Sequence, residues 1–265
     1  MKKTRTFFSI AFLVTASCST TVFADIISYY NFNDGSGNVL HDSVRGASGD
    51  ATIYGSSYTW SNGVAGGGLY FYGAGAGAVA PMVSGITGGF SLSAWVKYDS
   101  FSEWGTVAKN WSTADSGAFH LGLDDTSNYF SSYVQAGNTS LVYGSAIALN
   151  QWYNVLFTYD GTQQSLYLNG VLQGTSPMTG ALYTSFPYIG FVAKIGPDGA
   201  PANSFLNGTL DEISIYNTAL SASDVSTLYV NGTQGIGAVP EPSTYALFGI
   251  GAIGMMMVMR RKKTA

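Results

Sequence analysis

Hairpin signals crowd the middle of this chain, and they leave few folds open to it. Tyr153, Val155, Phe157 and Tyr159 fall on every second position, the period of a strand with one face turned to a core. Asp160-Gly161 then reverses the chain, Leu166-Tyr167-Leu168 follows, and Asn169-Gly170 reverses it again before Val171-Leu172. Asn-Gly and Asp-Gly suit such turns because type I′ geometry needs positive φ at both central residues. Phe90, Leu92, Ala94 and Val96 repeat the alternation, with Trp95 on the opposite face, and Ile213 and Ile215 share a face within residues 210–216. One helix is expected, with Ser221 as N-cap, Asp224 completing a capping-box variant, and Val225, Leu228 and Tyr229 packing inward. No other stretch holds a 3.6-residue period, and there is no internal repeat. The fold class that follows is all-β, a two-sheet antiparallel sandwich. Eighteen Tyr, 15 Phe, 5 Trp and 34 Gly supply the core and the tight turns it needs, and the chain is too apolar for disorder.

The two ends read differently from the middle. Lys2, Lys3 and Arg5, the mostly apolar residues 7–14 and Val22-Phe23-Ala24 form a signal peptide over residues 1–24, cleaved before Asp25. A lipoprotein signal ending at Cys18 fits less well, because Thr15-Ala16-Ser17 lacks the aliphatic first position. Cleavage after Ala24 removes the sole cysteine, which excludes cysteine catalysis and thiolate metal sites. Setting both ends aside also changes the charge. Residues 25–238 keep only Arg45, Lys97, Lys109 and Lys194 against 14 Asp and Glu, a net −10. Nucleic acid is therefore not an expected partner, since binding it requires a basic patch.

At the C-terminus, Pro240-Glu241-Pro242 precedes an apolar run over 245–259 and the bases of 260–263. Fifteen helical residues span roughly 22 Å, short of the ~30 Å hydrocarbon core, so the run makes a poor permanent anchor. The basic block would hold the end in the cytoplasm. Order, spacing and position resemble the PEP-CTERM sorting signal of exopolysaccharide-producing Gram-negative bacteria. That resemblance, over residues 236–265, implies recognition of Pro240, Glu241 and Pro242 by an exosortase-type sorting protease. It also implies a transmembrane helix that holds the protein in the membrane before processing. The expected destination is the cell surface or extracellular matrix, with inner-membrane anchoring transient or permanent.

Five segments of residues 25–235 resemble one family in order. They are Tyr29-Tyr30-Asn31-Phe32-Asn33-Asp34-Gly35 with His41-Asp42-Ser43; Gly67-Gly68-Leu69-Tyr70-Phe71; and Phe90-Ser91-Leu92-Ser93-Ala94-Trp95-Val96-Lys97. Then come Gln151-Trp152-Tyr153 through Asp160-Gly161 and Leu166-Tyr167-Leu168-Asn169-Gly170, and finally residues 208–216 leading to Ala219-Leu220-Ser221. The series is similar to the concanavalin A-like, laminin G-like domains. It implies a jelly-roll sandwich of about a dozen strands whose relatives mostly bind glycans or proteins, many of them with one calcium ion. Alternation puts Asp211 on the face of Ile213 and Ile215, where a buried carboxylate needs a partner. Asp42, Asp50 and Asp211 are accordingly the candidate ligands of a structural Ca2+, the alternative being that Asp211 caps a backbone turn.

Catalysis is not expected. The paired carboxylates of a glycoside hydrolase have no motif here, and Asp211 and Glu212, adjacent in a strand, should face opposite ways. Asp124 and Asp125 read as a solvated turn. Binding is the expected role, and sugars stack on exposed rings among polar neighbours. Trp104 and Trp111 in the polar stretch 101–116, and Tyr129 and Tyr133 in the next, are the candidate ligand-binding residues. The expected function is a lectin-like module that binds polysaccharide in a biofilm or matrix; the alternative is a structural or adhesive protein that binds protein partners.

Overall fold

The computed structural model describes residues 25–232 apart from 87, 113–116 and 126–127. The signal peptide, the Pro-Glu-Pro motif, the apolar run and the basic tail lie outside the described residues. Two antiparallel sheets face each other. The first runs in spatial order β14 (Val171–Pro177), β13 (Gln163–Leu168), β12 (Trp152–Tyr159), β7 (Phe90–Ser100), β18 (Asn207–Tyr216), β5 (Gly67–Tyr72) and β4 (Tyr58–Asn62), with β1 (Ile26–Tyr30) also pairing with β18. The second runs β11 (Thr139–Ala146), β10 (Tyr129–Gln135), β9 (Gly117–Leu123), β8 (Thr106–Trp111), β15 (Tyr188–Phe191), β6 (Ala76–Pro81), β3 (Ala51–Gly55) and β2 (Val39–Leu40). A separate hairpin, β16 (Lys194–Ile195) and β17 (Pro201–Asn203), completes eighteen strands among the described residues. That exceeds the dozen expected, because several of the strands are only two to four residues long.

The alternating residues of the sequence form the core between the sheets. Val155, Phe157 and Tyr159 of β12 are fully buried beside Phe90, Leu92 and Val96 of β7. Phe90 meets Phe119 of the opposite sheet at 5.4 Å between ring centroids and Phe157 at 5.0 Å, so three rings tie the layers together. Burying each such ring contributes about 2–3 kcal/mol. The turn between β13 and β14 has Asn169 at φ 51 and Gly170 at φ 75, the two positive values that the Asn-Gly pair allows.

Helix α1 (Ala222–Gly232) closes the outer face of the first sheet. Its cap is reciprocal, as expected: Ser221 Oγ accepts from the Asp224 amide at 3.3 Å, and the Asp224 carboxylate accepts from the Ser221 amide at 3.1 Å. Val225 and Leu228 pack on Leu156 and Tyr216, while Tyr229 stacks on Trp95 at 5.7 Å. Both faces of the first sheet are thus apolar where the helix lies, which explains why Leu156 is buried although it points away from the main core.

Candidate functional site

The second sheet carries polar residues in a row across its outer face. Phe119 and Leu121 of β9 point into the core, so His120 between them points out. His120 pairs with Tyr133 of β10 on one side and Lys109 of β8 on the other, and Lys109 pairs with Gly190 of β15. Trp111 stands edge-on to Tyr133 at 4.9 Å. Trp104, in the turn before β8, approaches His120 edge-on at 5.5 Å, and the Lys109 ammonium lies 5.6 Å from the centre of its ring. The β16–β17 hairpin folds over the same face, with Ile195 bridged to Ser112, and brings Lys194 and Ser204 to the wall. It can lie that close because Gly190 has no Cβ; one added there would sit 2.7 Å from the Ile195 side chain. The result is a cavity of about 250 Å3.

Its walls are unusual in three ways. Lys109 is 5% exposed, and its ammonium makes no hydrogen bond or ion pair with a described residue. Burial, reinforced by the Lys194 charge, pushes its pKa down from 10.5 to about 7. His120 is buried too, with Nε2 3.1 Å from the Leu123 carbonyl oxygen and Nδ1 without a partner. Burial, with Lys109 nearby, holds it well below the ordinary histidine range, so the ring is neutral and Nε2 carries the proton. Finally, Trp104 sits at φ 54 and Ser204 at φ 59, left-handed values that are uncommon outside glycine. The turn is held by the Trp104 amide donating to the Asp124 carbonyl at 3.0 Å and by Thr106 Oγ1 donating to the Trp104 carbonyl at 3.0 Å. Strain of this kind gathers at binding sites.

Three of the four aromatic residues proposed from sequence, Trp104, Trp111 and Tyr133, therefore line one cavity. Tyr129 does not; it starts β10, 44% exposed, away from the lining. Residues 101–116 are not one loop, since β8 forms within them. Asp124 is buried rather than solvated, under the Trp104 turn. Lys109, His120, Lys194 and Ser204 were not singled out as ligand-binding residues. Two of them carried a readable signal, as polar residues at the outward positions of apolar strands.

The three carboxylates expected to share calcium are not assembled as a cage. Asp42 accepts from Ser28 Oγ at 2.6 Å, from the Val44 and Arg45 amides, and from the Arg45 guanidinium at 2.7 Å, so a cation's place is taken by Arg45. These donors, Ser28 foremost, overcome burial and hold its carboxyl below the usual range. Asp50 lies beside it, accepting from the Asp42 amide at 2.9 Å and contacting His41 at 2.8 Å. Asp211 is elsewhere, accepting from the Val64, Ala65 and Glu212 amides at 2.8–3.1 Å. It caps a hairpin turn. Among the described residues no three His, Cys, Asp or Glu gather to hold a metal ion.

Asp211 also departs from the expected face. The register of β18 slips between Asp211 and Ser214, with Glu212 at φ 54, so a bulge resets the alternation. Leu210, Ile213 and Ile215 all reach the core, and Asp211 lies opposite Trp95, under the helix side. The bulge also removes the opposite-face relation expected of Asp211 and Glu212. Burial, opposed by the Ala65 amide and reinforced by the Glu212 charge, pushes Asp211 up to about 8; burial pushes Glu212 up to about 7. Both are shut in, with Glu212 bonded to the Tyr29 hydroxyl, and neither lines the cavity.

A family model for the concanavalin A-like lectin/glucanases superfamily matches residues 72–226, more than half of the chain. The chain belongs to the concanavalin A-like superfamily. A second model, the PEP-CTERM protein-sorting motif, matches residues 238–262 and implies export and exosortase processing in Gram-negative bacteria. No curated protein sequence matches the chain. Among solved structures, this concanavalin A-like chain is similar to domain 4 of AbnA, an extracellular arabinanase from Geobacillus stearothermophilus, in complex with arabinotriose. Identity is 20%, TM-score 0.61, with 78% of this chain and 98% of that one covered. The binding domain of Paraclostridial Mosquitocidal Protein 1 follows at 14% identity and TM-score 0.60, covering 77% and 51%. The sialidase of Trypanosoma rangeli, in complex with 2,3-difluorosialic acid, gives 20% identity and TM-score 0.58, covering 78% and 33%. At these identities the likeness is one of fold.

Proposed function

We propose that this protein is an exported, exosortase-processed carbohydrate-binding module of the cell surface or extracellular matrix, with its sugar site in the cavity on the second sheet. The carrying observation is the convergence of Trp104, Trp111 and Tyr133, from two strands and a turn, on one opening of about 250 Å3. A pyranose presents C–H faces that stack on such rings and hydroxyls that pair with the polar groups between them, the usual division of labour in small-molecule sites. The fold neighbours support the reading. One is a domain in complex with arabinotriose, and another belongs to an enzyme in complex with a difluorosialic acid.

The role is binding without hydrolysis. Most glycoside hydrolases place two carboxyl groups across the scissile bond, and none of the described residues lining the cavity is Asp or Glu. Asp211 and Glu212 are spent on Val64, Ala65 and Tyr29. The sorting motif supplies the address, and exopolysaccharide is the polymer the processed protein meets.

Retention on the producing bacterium's exopolysaccharide tests this. Trp111→Ala and Trp104→Ala should each weaken retention while the near-ultraviolet circular dichroism of the domain is kept. Unfolding of both variants would make these rings core and remove the site. Release of new reducing ends from the polysaccharide would contradict the non-catalytic role.

A further inference from the structure

The domain is acidic, yet its few cations are not scattered. Residues 25–238 contain four, and two of them, Lys109 and Lys194, line the one cavity that holds the aromatic cluster. The other two lie away from this lining: Arg45 is paired with Asp42 at 2.7 Å, and the Lys97 ammonium lies 5.6 Å from the centre of the Trp152 ring. No Asp or Glu is among the described lining residues. Against a net charge of −10 for residues 25–238, the described lining carries two cations, and low-dielectric walls concentrate their field.

Resting on the carbohydrate reading above, we infer that the sugar bound here is acidic, with its carboxylate received by Lys109 and Lys194 and a ring hydroxyl donating to His120 Nδ1. The chemistry of each group supports that division. Lys109 is a buried ammonium whose three donors meet no acceptor among the described residues, which is costly unless a ligand supplies one. His120 has spent its proton on the Leu123 carbonyl, so Nδ1 offers a lone pair and suits a hydroxyl rather than an anion. Trp111 and Tyr133 give the ring face its platform. A uronic acid, which carries a carboxylate and neighbouring hydroxyls on one pyranose, satisfies all three requirements at once. A neutral hexose offers Lys109 hydroxyl acceptors but no countercharge.

Alginate, polygalacturonate and hyaluronan, each immobilised beside its carboxyl-reduced counterpart, provide the test with the processed protein. At least one acidic polymer should bind, with binding lost on carboxyl reduction, weakened by added salt, and weakened tenfold or more by Lys109→Met and by Lys194→Met. Two lysine variants are used so that misfolding of one leaves the question answerable. Equal binding of acidic and reduced polymers, abolished by Trp111→Ala, would overturn the acidic specificity and keep the sugar site. Acidic binding untouched by both lysine variants would place the anion elsewhere and overturn the inference. Failure of the folded protein to bind any member of either set would overturn the inference and the carbohydrate reading of this cavity together.

Discussion

Replacing Lys109 by methionine should make the protein more stable. Methionine matches the aliphatic length of lysine and removes an ammonium that is 5% exposed and unpaired among the described residues. A pKa lowered from 10.5 to about 7 means that folding opposes the charged form by about 4–5 kcal/mol, since one pKa unit is about 1.4 kcal/mol. Water admitted by the cavity mouth reduces the part recovered, so the variant should gain about 2–4 kcal/mol at neutral pH. For a domain of this size that is a rise in Tm of about 5–15 °C. The sign with pH is fixed. Below pH 7 both native and unfolded chains hold the proton, and the penalty is present in full. Between pH 7 and 10.5 the native form releases it first, so wild-type stability climbs, and above 10.5 the penalty is gone. Urea unfolding of wild type and Lys109→Met, at about pH 6 and again near pH 10, should show a gap that closes as pH rises. Titrating groups remote from the cavity cancel in that difference, while His120, which feels the Lys109 charge, does not. A variant less stable than wild type, or a gap independent of pH, would refute the reasoning and make Lys109 a structural cation held by the Trp104 ring.

Other outcomes follow from the same geometry. Asp42→Ala strands the Arg45 guanidinium and the amides of Val44 and Arg45, and should lose about 3–5 kcal/mol in urea unfolding, as when one partner of a buried pair is removed. Glu212→Gln keeps an acceptor for the Tyr29 hydroxyl but loses a carboxyl raised from 4.5 to about 7; wild type should therefore lose stability relative to the variant as pH climbs through that window. Phe157→Ala opens the three-ring contact between the sheets and should cost about 3–5 kcal/mol. Chelation of divalent cations should leave the melting temperature unchanged, because Arg45 already neutralises Asp42 and backbone amides satisfy Asp211; a clear drop would show a cation site that these residues do not explain.

Much of the sandwich was legible because its determinants are local. The period of two in residues 153–159 and 90–96, the Asn169-Gly170 turn and the Ser221–Asp224 cap each act within a few residues, and each forms as expected. The bulge at Glu212 was not legible, since a glutamate at positive φ carries no sequence mark, and one inserted residue inverts the facing of everything before it. The same limit governed the acidic residues. Whether Asp42 meets a metal or Arg45 depends on how the loop closes, which residue spacing does not encode. For the cavity, the rings could be proposed from their polar surroundings, but their convergence depends on β8, β9 and β10 lying side by side. The lysines stayed hidden for another reason. Lys194 reaches the cavity only because the β16–β17 hairpin folds over Gly190, a contact between distant parts of the chain.

Calorimetric titration of the processed protein with the producing bacterium's exopolysaccharide asks whether the cavity on the second sheet binds saccharide. Saturable binding that Trp111→Ala clearly weakens, in a protein still fully folded, is the expected result. Absence of heat with folded wild type, or binding unchanged by the loss of Trp111, would rule out a sugar site in this cavity.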